Sequence, residues 1–188
     1  MLRNRDSERQ TATAPLHIEW CNDPAREQAI VELFMAQLSP RYISHSELQG
    51  RRAVAIGEWR SDLPDVLRAE VRHALARPAA TSNELIAIAH DGNDGNDSAL
   101  AGVAFVSIDE TRLASRAFAT LDDLVVDASR RGAGVGARMF DWICAELRLR
   151  GIRRVFLESG VGNEDAHRFF EARGCTPVSV TMLKELEA

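Results

Sequence analysis

Arg131-Gly132-Ala133-Gly134-Val135-Gly136 has the clearest chemical meaning in this 188-residue chain. An apolar, β-branched run from Leu121 to Val126 precedes it, and a helical pattern from Gly136 to about Leu149 follows. Glycines let backbone N–H groups converge with no side chain in the way. The first turn of a helix leaves four N–H groups unpaired and carries partial positive charge. Strand, glycine loop and helix N-terminus in that order make a cradle for phosphate or pyrophosphate. The expected guest is a phosphorylated cofactor.

Two familiar phosphate loops fit poorly. A Walker loop needs Lys-Ser or Lys-Thr after its last glycine to reach phosphate and magnesium, and here Ala137-Arg138 follows. Gly132, Gly134 and Ala137 do fit the dinucleotide pattern G-x-G-x-x-A, with Glu158 near the place of a ribose-binding acid. However, Asp127 to Arg131 separate the strand from the first glycine, and about fifty residues remain after the loop. That is too little chain for the rest of a doubly wound sheet.

The elements that must hold the loop can be read from periodicity. Leu16 to Trp20 alternates as a short strand. Asp23 and Pro24 open a helix carrying Ile30, Val31, Phe34 and Leu38, which Ser39-Pro40 ends. Residues 41–78 read as helical again, with Ser61 or Asp62 as cap and Leu63, Leu67, Val71 and Leu75 on one stripe. Leu85 to Ala89 and Ala101 to Ile108 read as a strand pair joined by the turn-forming residues 91–98. Asp109 to Arg116 is a polar connection. Met139, Phe140, Ile143 and Leu147 form the apolar stripe of the helix after the loop, and Gly151 sits at its C-terminal cap. Val155 to Leu157 is a strand. Asn163 caps a short helix that Gly174 ends, and Thr176 to Leu183 reads as the last strand. The order is that of a mixed α/β sheet with helices packed on it.

Arg131-x-x-Gly134-x-Gly136, placed after a strand ending Val126-Asp127, resembles the acyl-coenzyme-A motif of the GNAT superfamily of N-acetyltransferases. Asn163-Glu164-Asp165-Ala166-His167-Arg168-Phe169-Phe170, continuing to Gly174, is similar to its N-x-x-A-x-x-F-Y-x-x-x-G helix. Met182-x-Lys184-x-Leu186 looks like its usual last strand. The resemblance covers roughly Leu85 to Leu186. It implies a mostly antiparallel, twisted sheet with a splayed central strand pair and helices on both faces. It further implies one domain over 14–188 behind an N-terminal tail (1–13), with a CoA-binding core at 81–186 and a substrate-side segment at 24–78.

By the same resemblance, the backbone of Leu124, Val125 and Val126 pairs with the pantetheine arm. The N–H groups of Gly132, Ala133, Gly134, Val135, Gly136 and Ala137 hold the pyrophosphate, with Arg131 and Arg130 adding charge. Asn163 touches the pantetheine arm as well as capping its helix. Phe170 stands where many relatives place a tyrosine that protonates the departing thiolate, and a phenyl ring cannot donate a proton.

Acetyl transfer needs an unprotonated amine, a base to make it and a donor for the carbonyl oxygen. Asp122 and Asp123 lie just before the pantetheine-binding stretch, and alternation along the strand turns one of them to the cleft. Burial would raise its pKa towards a useful value. Glu158, at the end of the next strand, is a further candidate. The implied reaction moves an acetyl group from acetyl-CoA to a primary amine of a small molecule or peptide by direct attack in a ternary complex. The missing tyrosine motivates the alternative of a non-catalytic CoA-binding or regulatory module.

The bulk composition is compatible with this. Apolar residues make up 45% and charged residues 27%, as in an ordinary globular protein. A net charge of −5 argues against non-specific nucleic-acid binding and suits a cationic substrate. Three widely spaced cysteines suggest neither a disulfide framework nor a zinc site, and His17, His45, His73 and His90 have no metal-ligand spacing. With no signal-peptide pattern and no membrane-length apolar run, the cytoplasm is the expected location. The sequence leaves a homodimer open.

Overall fold

The computed structural model describes residues 15–92, 99–109 and 117–186. The expected tail at 1–13, most of the turn at 91–98 and most of the connection at 109–116 lie outside them. Strands β1 (Leu16–Cys21), β4 (Glu84–Asp91), β5 (Leu100–Asp109), β6 (Phe118–Val126) and β7 (Val155–Leu157) form one sheet in the order β1-β4-β5-β6-β7. Pairing is antiparallel except between β6 and β7. A small antiparallel hairpin, β2 (Ala53–Ala55) and β3 (Glu58–Trp59), stands apart.

Alternation along the central strands divides two cores. Leu85, Ala87 and Ala89 of β4 and Ala104 and Val106 of β5 face one side, against Val135, Met139, Phe140, Ile143 and Leu147 of α4 (Val135–Leu149). Ile86, Ile88, Val103 and Phe105 face the other side, against α1 (Glu27–Ala36) and α3 (Leu63–Leu75). Buried on both faces, β4 and β5 read as continuous apolar runs rather than alternating ones. α2 (His45–Gln49) and α5 (Glu164–Glu171) flank the open end of the sheet.

Most expected elements fall within a few residues of their places; three differ. Residues 41–78 are not helical throughout, since the β2–β3 hairpin turns there at Ile56-Gly57. Its strands are three and two residues long, too short to show a period. Asp62 caps α3 without a side-chain bond to the helix; its carboxylate takes Arg60 instead. The expected last strand, Thr176 to Leu183, is unpaired, and every residue from 176 to 186 is exposed. Its β-branched pattern is present, but strand preference is realised only against a neighbour. Among the described residues, no helix is long and apolar enough to cross a membrane.

Leu67, fully buried where α3 meets the sheet, is expected to lose about 2–5 kcal/mol on truncation to alanine. Val161, 93% exposed, is expected to change stability by about 0.5 kcal/mol or less on the same substitution. Urea unfolding of the two variants checks both.

Candidate active site

Phe105 of β5 pairs with Asp123 of β6, but the next residue, Val106, pairs with Leu121. Asp122 is therefore an extra residue, and the strand bulges there. A bulge bends its strand and sharpens its twist. On the other edge of β6, only Ala119 to Leu121 pair with β7. From the bulge onward, Leu124, Val125 and Val126 have no partner on that side among the described residues, so the sheet opens into a V.

A close backbone approach diverts β7. The chain leaves the strand at Glu158 and reaches Gly160, which is buried. A Cβ at Gly160 would lie 2.3 Å from the Arg41 carbonyl oxygen and 2.6 Å from that of Ile43. Only glycine lets the strand exit tuck beneath the 40–43 segment.

The glycine loop lies at the mouth of the V. A 3-10 turn over Ala128–Arg130 follows β6, opened by Asp127 accepting from the Ser129 N–H at 2.9 Å. Gly134 then caps α4 at φ +77°, a left-handed conformation that a side chain would strain. The first helical bond runs from the Arg138 N–H to the Gly134 carbonyl at 3.0 Å. The N–H groups of Val135, Gly136 and Ala137 precede it and are free of the helix. Ala133 differs from the sequence expectation, because its N–H donates to the Arg130 carbonyl at 3.3 Å. Arg130 differs too: its guanidinium forks onto Asp91 at the end of β4 and ties the loop to the sheet. Arg131 stays at the cleft and donates to the Gln37 side-chain oxygen at 2.8 Å.

The V continues into a cleft of about 900 Å³ between the sheet, α5 and the segment after α1. Asp122, Asp123 and Glu158 all line it, as do Asn163 and Phe170. Their situations differ. Asp123 is held at 2.6 Å by Arg52, whose Nη2 also meets Glu70 of α3 at 2.8 Å. The guanidinium lies over the rings of Phe34 and Phe105, 5.4 and 5.7 Å from their centroids. Burial raises the Asp123 carboxyl above its usual range, and Arg52 opposes that rise. Burial works against the charge of Arg52, but Asp123 and Glu70 outweigh it and raise the guanidinium pKa. Asp123 is thus a structural carboxylate, committed to a cation of the chain itself.

Asp122 has no such partner. Its side chain is open to the cleft and accepts a long 3.3 Å bond from the Ser107 hydroxyl. The surrounding protein atoms desolvate it and push its pKa to about 7, with Asp123 adding repulsion and the Ser107 bond opposing. Glu158 is shared: His45 Nδ1 lies 2.6 Å from it and the Ser44 hydroxyl donates to it at 3.3 Å. Asn163 is the N-cap of α5, but its side chain makes no capping bond. Phe170 packs edge-to-face on Phe140 and Phe169. Among the described residues, no group of His, Cys, Asp or Glu could hold a metal ion.

Sequence reasoning missed Arg52 as the partner of Asp123 and Glu70. It also missed Glu47, Tyr42 and Trp59, which close the cleft from the substrate-side segment. The weak signal was an arginine in a stretch with no helical stripe.

Three outcomes are expected. Arg52→Ala strands a buried carboxylate and should cost about 3–5 kcal/mol, read by urea unfolding at pH 8. Gly160→Ala must displace a backbone carbonyl and should cost about 1–3 kcal/mol. Asp122 has a raised folded pKa, so the stability it contributes is present below its unfolded pKa and is lost as pH rises through about 7. Asp122→Asn should therefore raise the melting temperature relative to the parent at pH 8 and not at pH 4.

The model of the Acetyltransferase (GNAT) family matches residues 52–175. No curated protein gives a significant match. Among solved structures, a tetramutant of the BH1408 protein from Bacillus halodurans superposes with a TM-score of 0.67 at 19% identity, covering 90% of this chain and 99% of that one. The aminoglycoside N-acetyltransferase AAC(6')-Iy in complex with CoA gives 0.64 at 15% identity, over 93% and 97%. The aminoglycoside acetyltransferase meta-AAC0020, from an uncultured soil metagenomic sample, gives 0.62 at 17% identity, over 92% and 97%. These likenesses speak to the fold. The family match spans well over half of the sequence, and it establishes that the chain belongs to the GNAT family of acetyltransferases.

Proposed function

We propose that this protein transfers an acetyl group from acetyl-CoA to a primary amine of a small, multiply cationic molecule, by direct attack with both substrates bound. The observation that carries the reading is the juxtaposition at the bulge. One strand supplies a backbone edge at Leu124–Val126 with no partner among the described residues and, two residues earlier, a carboxyl whose pKa desolvation pushes to about 7 at Asp122.

The cleft fits the cofactor. Val135, Gly136 and Ala137 offer helix N-terminal N–H groups to a pyrophosphate, and Arg131 adds a charge-assisted contact. Packing within the chain does not explain the glycine at 136, since a Cβ there would make only ordinary contacts with Val126 and Phe169. A guest that must approach the backbone does explain it. Leu124, Val125 and Val126 are left to pair with the pantetheine arm as an added strand. Asn163, with its amide uncommitted, and Phe170 flank that arm. Bound acetyl-CoA supplies the thioester carbonyl.

The chain's own residues do the rest. Asp122 Oδ takes a proton from the acceptor ammonium, directly or through water, and releases a neutral amine; as the amide C–N bond forms the thioester C–S bond breaks, and the departing thiolate takes its proton from solvent, because Phe170 has none to give. Asp123 is held by Arg52 and shapes the field around Asp122. Glu158, braced by His45 and Ser44, holds a further cationic group of the acceptor. The acceptor end of the cleft carries Glu47, Asp122 and Glu158 with the rings of Tyr42 and Trp59, a set suited to ammonium groups. The meta-AAC0020 enzyme has also been solved in complex with sisomicin, which supports a small polyamine-like acceptor.

Isothermal titration should show acetyl-CoA binding to the parent chain, and Arg131→Ala should weaken it. In a thiol-release assay over an amine panel that includes aminoglycosides, Asp122→Asn should lower kcat by about 10²–10⁴-fold. The KM for acetyl-CoA should stay unchanged. Parent activity should rise through pH 7 as Asp122 ionises, and the variant should lose that limb. Failure of a folded sample to bind acetyl-CoA would remove the proposal. Binding without thiol release for any amine would instead support a CoA-binding module, the role that Phe170, with no hydroxyl to donate, favours.

A further inference from the structure

Among the described residues, the side-chain oxygen of Ser159 is buried and has no hydrogen-bond partner. The residue lines the cleft. His90 and Arg173 also carry an unpaired nitrogen, but each makes a second polar contact. His90 Nε2 meets Glu19 at 3.4 Å, and Arg173 Nη1 donates to the Phe169 carbonyl at 3.1 Å. The Ser159 hydroxyl has no such contact. A buried hydroxyl left unpaired works against folding, so its presence calls for a reason outside the packing of the chain.

Its place in the sheet says what it would meet. Leu157 is the last residue of β7 to pair with β6, opposite Leu121. Just past that pair come Asp122 on one strand and Ser159 on the other, at the apex of the V. Leu157 packs on the same core as Phe140 and Phe170. Alternation carried two residues on puts Ser159 on that side. Glu158, between them, takes the other side and meets His45 of α2. One wall therefore offers a carboxylate towards the acceptor and a hydroxyl towards α5. Phe170 of α5 brings only a phenyl ring to the cleft.

The charge still to be met at the apex is that of the leaving group. A carboxylate cannot stabilise a developing thiolate; a hydrogen-bond donor in a site sheltered from water can. Resting on the acetyl-transfer reading, we propose that Ser159 is a further catalytic residue, whose hydroxyl donates a hydrogen bond to the thioester sulfur as the C–S bond breaks. The electron pair of that bond passes to sulfur. Ser159 keeps its own proton, and solvent supplies the proton that completes the thiol. Serine turns about a single side-chain torsion, which swings the hydroxyl from its packed position into the cleft. No bond within the chain holds it back.

Ser159→Ala removes an unpaired group, so it should fold and unfold in urea at or above the midpoint of the parent. The first readout needs no turnover. CoA is bound, with binding followed by isothermal titration, and its thiol is titrated by the ultraviolet absorbance of the thiolate. The parent should hold the thiol pKa below that of free CoA. Ser159→Ala should raise it by about one unit, and Ser159→Thr, which keeps a hydroxyl, should bring it back. In turnover, Ser159→Ala should lower kcat by about tenfold and leave the KM for acetyl-CoA unchanged. If CoA binds both chains and its thiol titrates alike in each, the inference is overturned while the acetyl-transfer reading stands. An equal rise in Ser159→Thr and Ser159→Ala also overturns it. A folded parent that binds no CoA removes both.

Discussion

One extra residue in β6 governs the rest of this structure. From Ala119 to Leu121 the strand has partners on both edges; beyond Asp122 it has one among the described residues. A strand that loses a neighbour exposes N–H and C=O groups that must be satisfied by water or by another chain-like partner. The bulge lets this happen in mid-sheet without unravelling β5, because the β5–β6 ladder resumes at Phe105–Asp123 with its facing corrected by the added residue. It also brings two neighbouring carboxylates to one cleft, which simple alternation does not achieve.

What the two carboxylates become is decided by a third group. Arg52 comes from β2's approach, Glu70 from α3 and Asp123 from β6, so a single guanidinium joins three separate pieces of chain. Planar, five-donor geometry suits that work better than an ammonium would. With Asp123 neutralised in this way, Asp122 is the carboxyl that remains to respond to whatever enters the cleft. The segment that walls the cleft at Tyr42, Glu47 and Trp59 is thereby anchored by the same ion pair that separates a structural from a titratable acid.

Legibility in the sequence followed distance along the chain. The glycine loop, the stripe of α4 and the caps at Gly151 and Asn163 are local, and residues within a few places of one another specify them. The strand pair β4–β5 was legible because turn residues fall between two apolar runs. The Arg52–Asp123 contact joins residues 71 apart, and no period or motif marks an arginine as the partner of a distant carboxylate. The splayed strand pair was expected only through family resemblance, since the one inserted residue of a bulge leaves no trace in a sequence of strand-forming side chains. For Thr176 to Leu183 the alternation was real, but a pattern names a strand's faces and not its neighbours.

The close approach at Gly160 has a consequence for how such a fold can diversify. The backbone oxygens that receive it belong to Arg41 and Ile43, on the wall of the cleft that also carries Tyr42 and Glu47. The exit of β7 and that wall therefore share a hinge pin. Side chains at 41–47 are free to drift so long as those carbonyls stay put, whereas an insertion or deletion there would shift both sides of the cleft at once. Variation on one wall is in this way fenced in by the strand it braces.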